Sequence, residues 1–231
     1  MSTASGYTLT DADLTKVAEQ ITDILKGVND GSIEVSAGSR NGFMHYFGSA
    51  LIVTMQKGKH TTATNKAFAD AFMKMAEDSL LLSEEDGGSV GLQTSVINVL
   101  TAVMNTATSV KNDDLAADCK ETLLNGDFDV EAYLEDTRAI VSKTENADQA
   151  AYYLQGLANL AKINIANDTG KIEDQDVLDI IAEAKEWLSD PNHLLDMRNL
   201  HWQKDLYEAI AALAKEACAE GSELGENETL A

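Results

Sequence analysis

The sequence predicts an all-α protein, a multi-helix bundle or short α-helical array of about eight to nine helices. Apolar residues recur at steps of three and four along most of the 231 residues, the period of one helical face. Proline occurs once, at Pro191, and aromatic residues make up only 6%, whereas sandwiches and barrels use proline at edges and aromatic residues along strands. A hydrophobic fraction of 44% is enough for a core that needs neither metal nor disulfide. The expected organisation is one helical domain over 1–220 and a flexible acidic tail over 221–231.

The elements follow in order. Thr10 and Asp13 form a capping-box start, and Leu14, Val17, Ile21, Ile24, Leu25 and Val28 then mark an amphipathic helix. The stretch from Val28 to Gly42, rich in glycine and serine, reads as a loop with a short extended piece at Ser32 to Val35. Residues 41–56 hold no charge apart from whatever His45 carries. Phe43, Phe47, Leu51 and Met55 recur every four residues there, as the buried face of an inner helix, and His45 among apolar neighbours reads as a core histidine. From Thr62, Phe68, Phe72, Met75, Ala76 and Leu80 share a face opposite Lys66, Asp70, Lys74 and Asp78.

Residues 87–110 contain no formal charge. Polar residues, among them Gln93, Asn98, Thr101 and Asn105, are too frequent for a lipid-facing span, so a buried central helix is expected, with Val96, Val99, Leu100 and Val103 inward and Asn98 beside Asn105. Further helices are expected after the N-caps Asn112, Asp129, Thr144 and Asp174, with stops at Gly126 and Gly170. In the helix after Asp174, Val177, Leu178, Ile181, Ala184 and Leu188 align. Asp190 and Pro191 open a short helix leading to a long one with Leu206, Ile210, Leu213, Ala214 and Ala217.

A faint repeat runs through the chain. Tyr152–Lys162 (YYLQGLANLAK) resembles Asp205–Lys215 (DLYEAIAALAK), and SVINVLTAV and YFGSALIVT fit the same pattern more loosely at spacings of about fifty residues, as stacked helical repeats do. Alanine and leucine at helical spacing also recur by chance in any helical bundle, and a compact bundle is the preferred reading over an array.

Charge narrows the function classes. Asp and Glu number 39 against 17 Lys and Arg, a net charge of -22, which repels nucleic-acid phosphates and anionic membranes. Direct nucleic-acid binding and membrane association are therefore not expected, whereas a basic protein partner suits the field. Cys119 and Cys218 have no CxxC spacing and read as reduced thiols, and the N-terminal residues carry no export signal, so a cytoplasmic setting is expected.

Named chemistry is absent or incomplete. Aligning Gly170 with the glycine of a calcium loop puts Ile165 in the first ligand place and Asp176 in the last, and aligning Gly31 puts Lys26 and Ala37 there, so both fail at the ends. His193 and His201 lie eight apart without metal-ligand spacing. Gly87–Gly91 matches a nucleophile elbow in letters but lacks the strand that must precede it. The SAGSRNG segment, with Ser36, Ser39 and Arg40, reads as a connector, with anion binding as the alternative. No cofactor signature occurs.

Two acidic clusters are the candidate partner-binding residues. Asp127, Asp129, Glu131, Glu135 and Asp136 form one; Glu173, Asp174, Asp176, Asp179, Glu183 and Glu186 form the other. They read as solvated faces at helix N-termini or as a docking face. The leading functional expectation is a non-catalytic interaction protein: an adaptor, scaffold or inhibitor of a basic partner. A structural subunit or homo-oligomer that uses 41–56 and 87–110 as contact surfaces is the alternative. A helical enzyme or small-molecule binder with a site near Asn98, Asn105 and the histidines ranks last.

Overall fold

The structure is a computed structural model that describes residues 10–59, 61–196 and 200–218. The expected tail lies outside the described residues, as does His60.

Ten α-helices and no strand occur among the described residues: α1 (Asp11–Asn29), α2 (Ala37–Gln56), α3 (Ala63–Leu80), α4 (Val90–Ser109), α5 (Asp113–Leu123), α6 (Val130–Val141), α7 (Ala147–Ile165), α8 (Asp174–Ser189), the short α9 (Pro191–Asp196) and α10 (Leu200–Ala217). Most starts carry a side-chain cap that satisfies an orphan backbone N–H. At α1 the capping box is complete: Thr10 Oγ1 accepts from the Asp13 N–H at 3.2 Å, and the Thr10 N–H donates to Asp13 Oδ2 at 2.9 Å. Asp129 caps α6 by accepting from the Ala132 N–H at 3.0 Å.

Two expected caps shift. Asn146, not Thr144, caps α7 by accepting from the Gln149 N–H at 3.1 Å, while the Thr144 hydroxyl donates to Gln149 Oε1. At α8 the cap position is Glu173, without a side-chain cap bond, and Asp174 falls in the first turn. The SAGSRNG segment is not a loop. Ser36 accepts from the Ser39 N–H and starts α2 at Ala37, so the segment forms the cap and first turns of a helix. Ser89, the serine of the apparent elbow, caps α4 through the Leu92 N–H. The glycine before it is fixed by space, since a Cβ on Gly88 would meet the Leu82 carbonyl oxygen at 1.9 Å.

The four helices that carry the repeat signal are spatial neighbours in chain order. α2 packs on α4, α4 on α7, and α7 on α10. They begin at residues 37, 90, 147 and 200, so the faint sequence period marks a row of helices laid side by side. Beside that row, α1 packs on α3, α5 packs on α4, and α6 and α8 pack on α7. One contiguous apolar core runs from Ala18 in α1 to Ala217 in α10.

Small residues set the closest approaches. A Cβ on Gly48 would lie 2.3 Å from Val99 Cγ1, which lets α2 meet α4. One on Gly156 would lie 2.7 Å from the Tyr133 hydroxyl and 2.8 Å from Thr94 Cγ2, at the junction of α7 with α6 and α4.

The inward faces of α3, α8 and α10 are largely those the periodicity predicts. α4 is buried along most of its length, but Asn105 is exposed and does not join Asn98. In α2 the buried line is Met44, Gly48, Leu51 and Met55, whereas Phe43 and Phe47 are half-buried with rings 5.0 Å apart and His45 is exposed rather than core. A helix with apolar residues on nearly every side has no pattern to say which side turns inward. No helix among the described residues is long and apolar enough to cross a membrane.

Candidate functional site

The two acidic clusters come together. The turn before α6 and the start of α8 border a groove of about 880 Å3 whose lining includes Asp127, Asp129, Glu131 and Glu135 from the first cluster and Glu173 and Asp176 from the second. Buried Phe128, Val130 and Leu134 supply apolar surface within it. Chain order separates the clusters by about forty residues, and shared packing of α6 and α8 on α7 brings them to one place.

The remaining predicted residues lie elsewhere. Asp136 lines a neighbouring hollow with Glu84 and Lys143. Asp179 accepts from the Gln175 amide at 2.6 Å. Asp174 and Glu186 are exposed residues of α8 that do not line the groove. Glu183 sits behind it, paired with Arg138.

Two cations line the groove and were not singled out by sequence reasoning. Lys171 Nζ donates to the Asn125 carbonyl at 2.9 Å, tying the turn before α8 to the turn before α6. Arg138 donates from Nη1 to Asp176 Oδ1 and from Nη2 to the Asp176 carbonyl, both at 3.2 Å. Its Nε lies 3.5 Å from Glu183 Oε1, close enough for an ion pair but without hydrogen-bond alignment. Burial pushes the Glu183 carboxyl above its usual range; Arg138 opposes this, while Asp179 and Glu186 add to it. The scarcity of arginine, with three in the chain, was the one signal that could have marked Arg138.

Both cations thus have acceptors within the protein, while six carboxylates line the same groove. Helix N-termini account for part of this. Asp129 caps α6, Glu131 lies in its first turn, and Asp176 lies in the first turn of α8, where negative charge is favoured. Glu135, a turn further along α6, and Asp127, before its cap, gain little from the dipole, so the groove is more acidic than helix starts require.

Asn98 belongs to a second polar cluster. The His45 ring meets the Tyr152 hydroxyl at 3.0 Å; that hydroxyl donates to Ser95 Oγ at 2.7 Å, and Ser95 in turn reaches Asn41 Oδ1 at 2.5 Å and the Gly91 carbonyl at 3.0 Å. Because Tyr152 donates towards Ser95, the His45 contact requires the proton on Nε2. Asn98 donates to the Tyr152 carbonyl and accepts from Asn159 at 2.9 Å. Burial pushes the Tyr152 hydroxyl up to about 12, and His45, exposed overall, is lowered by partial desolvation of its ring against Tyr152. Its polar atoms are matched to one another across α2, α4 and α7, as expected of a network that fixes how three helices align. Among the described residues, no group of three or more His, Cys, Asp or Glu could hold a metal ion. Asn167, three residues before the apparent calcium loop's glycine, gives its amide to the Ile163 carbonyl.

No family model, curated protein or solved structure matches this chain.

Proposed function

We propose that the protein is a non-catalytic interaction protein that receives a basic segment of a partner protein in the groove between α6 and α8. The observation that carries this reading is the convergence of two acidic clusters on one groove whose two lining cations already have partners within the chain. A lysine or arginine of a partner would meet carboxylates at Asp127, Glu131 and Glu135, while its methylene stem packs on Leu134 and Val130. A cytoplasmic setting, in which Cys119 and Cys218 stay reduced, belongs to the same proposal.

The test uses a fluorescent lysine- and arginine-rich peptide and reads anisotropy at low and moderate salt. Binding should weaken steeply with salt and be lost in the Glu131→Lys, Glu135→Lys variant. It should survive Glu19→Lys, Asp23→Lys, which reverses the same amount of charge on α1, away from the groove. Equal losses in the two variants would mean that only net charge matters and would sink the assignment of the groove.

A further inference from the structure

Arg138 stands between two sets of carboxylates and is bonded to only one of them. On its own helix, Glu131 and Glu135 precede it by seven and three residues, so at 100° per residue all three fall on one face of α6, and all three line the groove. On α8, Asp176 and Glu183 are seven residues apart and share a face for the same reason. The guanidinium reaches across to α8. Its Nη1 and Nη2 donate to the Asp176 carboxylate and carbonyl, and Nε lies 3.5 Å from Glu183 Oε1. Glu135 occupies the i,i+3 position that pairs readily along a helix, yet among the described residues neither it nor Glu131 has an ion pair.

Burial explains the choice. The Arg138 side chain is 25% exposed and its two α8 partners 32% and 40%, whereas Glu131 and Glu135 are exposed. A cation taken partly out of water gains more from two half-buried carboxylates and a carbonyl than from one carboxylate that water already solvates. The set of bonds is incomplete, however, since Nε is buried without a hydrogen-bond acceptor. The charge on α8 therefore contributes much of the hold. Without it, Arg138 is a half-buried cation lacking a counter-charge, and Glu135, one turn back on the same face, is the alternative.

We infer that Asp176 and Glu183 are positioning residues of the groove: by drawing Arg138 across to α8 they keep it off Glu135 and leave the α6 carboxylates open to a partner's cation. Arg138 is then a built-in competitor. When the α8 charges are lost it pairs with Glu135 from within, in the place a lysine or arginine of the partner would take. Such control presupposes a groove that receives a basic segment.

The full chain and its Asp176→Asn, Glu183→Gln variant provide the test, with two readouts. With three arginines in the chain, the Arg138 Nε–H signal can be assigned by NMR. Its nuclear Overhauser contacts should run to the methylenes of Asp176 and Glu183 in the wild type and to those of Glu135 in the variant. The second readout is anisotropy of the lysine- and arginine-rich peptide at low salt. Glu135→Gln should weaken binding about threefold in the wild type and not measurably in the Asp176→Asn, Glu183→Gln background, where Glu135 is already taken. Asn and Gln keep the shapes they replace, and circular dichroism should match the wild type. Should the pair of substitutions unfold the protein, each single variant carries the same readouts, with smaller shifts in the same direction. Arg138 contacts that stay on α8 in the folded variant overturn the inference, as does a Glu135→Gln loss of equal size in both backgrounds. A wild type that binds no peptide sinks the reading of the groove instead, and the Arg138 contacts still decide whether α8 positions this side chain.

Discussion

Gly156→Ala probes the junction on which the row depends. In an open helix interior this change gains about 1 kcal/mol from helix propensity. Here the added Cβ would sit 2.7 Å from the Tyr133 hydroxyl and 2.8 Å from Thr94 Cγ2. Tyr133 cannot swing away: it is 2% exposed, its ring lies 5.7 Å from that of Phe128, and its hydroxyl shares a hydrogen bond with Thr94 at 3.0 Å. Overpacking of this kind costs about 1–3 kcal/mol, and disturbing the Thr94–Tyr133 bond adds about 1 kcal/mol. After subtracting the propensity gain, a net loss of about 2 kcal/mol is expected. Tyr133→Phe alone should cost about 1 kcal/mol, but it clears the closer of the two contacts. In that background Gly156→Ala should therefore cost at least about 1 kcal/mol less, the signature of coupled neighbours. Urea denaturation of the four proteins gives the cycle, read from midpoints at unchanged m-value. A Gly156→Ala protein as stable as the wild type, or a cost identical with and without the tyrosine hydroxyl, would refute the packing account.

Other expectations concern the groove and the titrating groups. Arg138→Met leaves Asp176 and Glu183 without their shared cation and should destabilise by about 1–2 kcal/mol for a partly exposed pair; because burial holds the Glu183 carboxyl above its usual range, the deficit should shrink as pH falls and Glu183 takes up its proton, which a pH series of melting temperatures checks. Although His45 is exposed overall, partial desolvation of its ring against Tyr152 holds it below its ordinary pKa, so the unfolded chain takes up its proton first and stability falls as pH drops through 6.5. The change in melting temperature between neutral and mildly acidic pH should be smaller in His45→Gln; an identical slope would mean that His45 titrates as it does in the unfolded chain. Burial pushes the Cys119 thiol up to about 12, whereas Cys218 is exposed. Thiol reagent at pH 8 should label one cysteine per native chain quickly and the second only after denaturation; two fast equivalents would contradict the burial of Cys119.

Much of the fold was legible because helices announce themselves locally. Thr10 with Asp13 and Asp129 before Val130 placed helix starts correctly, since a capping side chain reaches only two or three residues ahead. Thr144 against Asn146 shows the limit: both are good caps two residues apart, and the choice rests on which one directs its oxygen to the Gln149 N–H. Phe68 to Leu80 gave the α3 face because charges mark its opposite side. α2 has no such contrast, and contact of Gly48 with Val99 decided its orientation. Of the candidate site, the acidic residues were legible as two clusters, while Arg138 and Lys171 were missed because a single cation among carboxylates has no periodic signal.

By itself the sequence determined the helices, the fifty-residue rhythm of the four in the row, and the separation of neutral segments from acidic ones. Each of these depends on residues a few turns apart, where the 1.5 Å rise and the 100° step fix geometry. Tertiary structure decided which side of α2 turns inward and that residues 127–135 and 173–176 share one groove. Those outcomes depend on how α6 and α8 both settle on α7, and on how closely Gly48 and Gly156 let neighbouring helices approach, distances that no spacing along the chain contains.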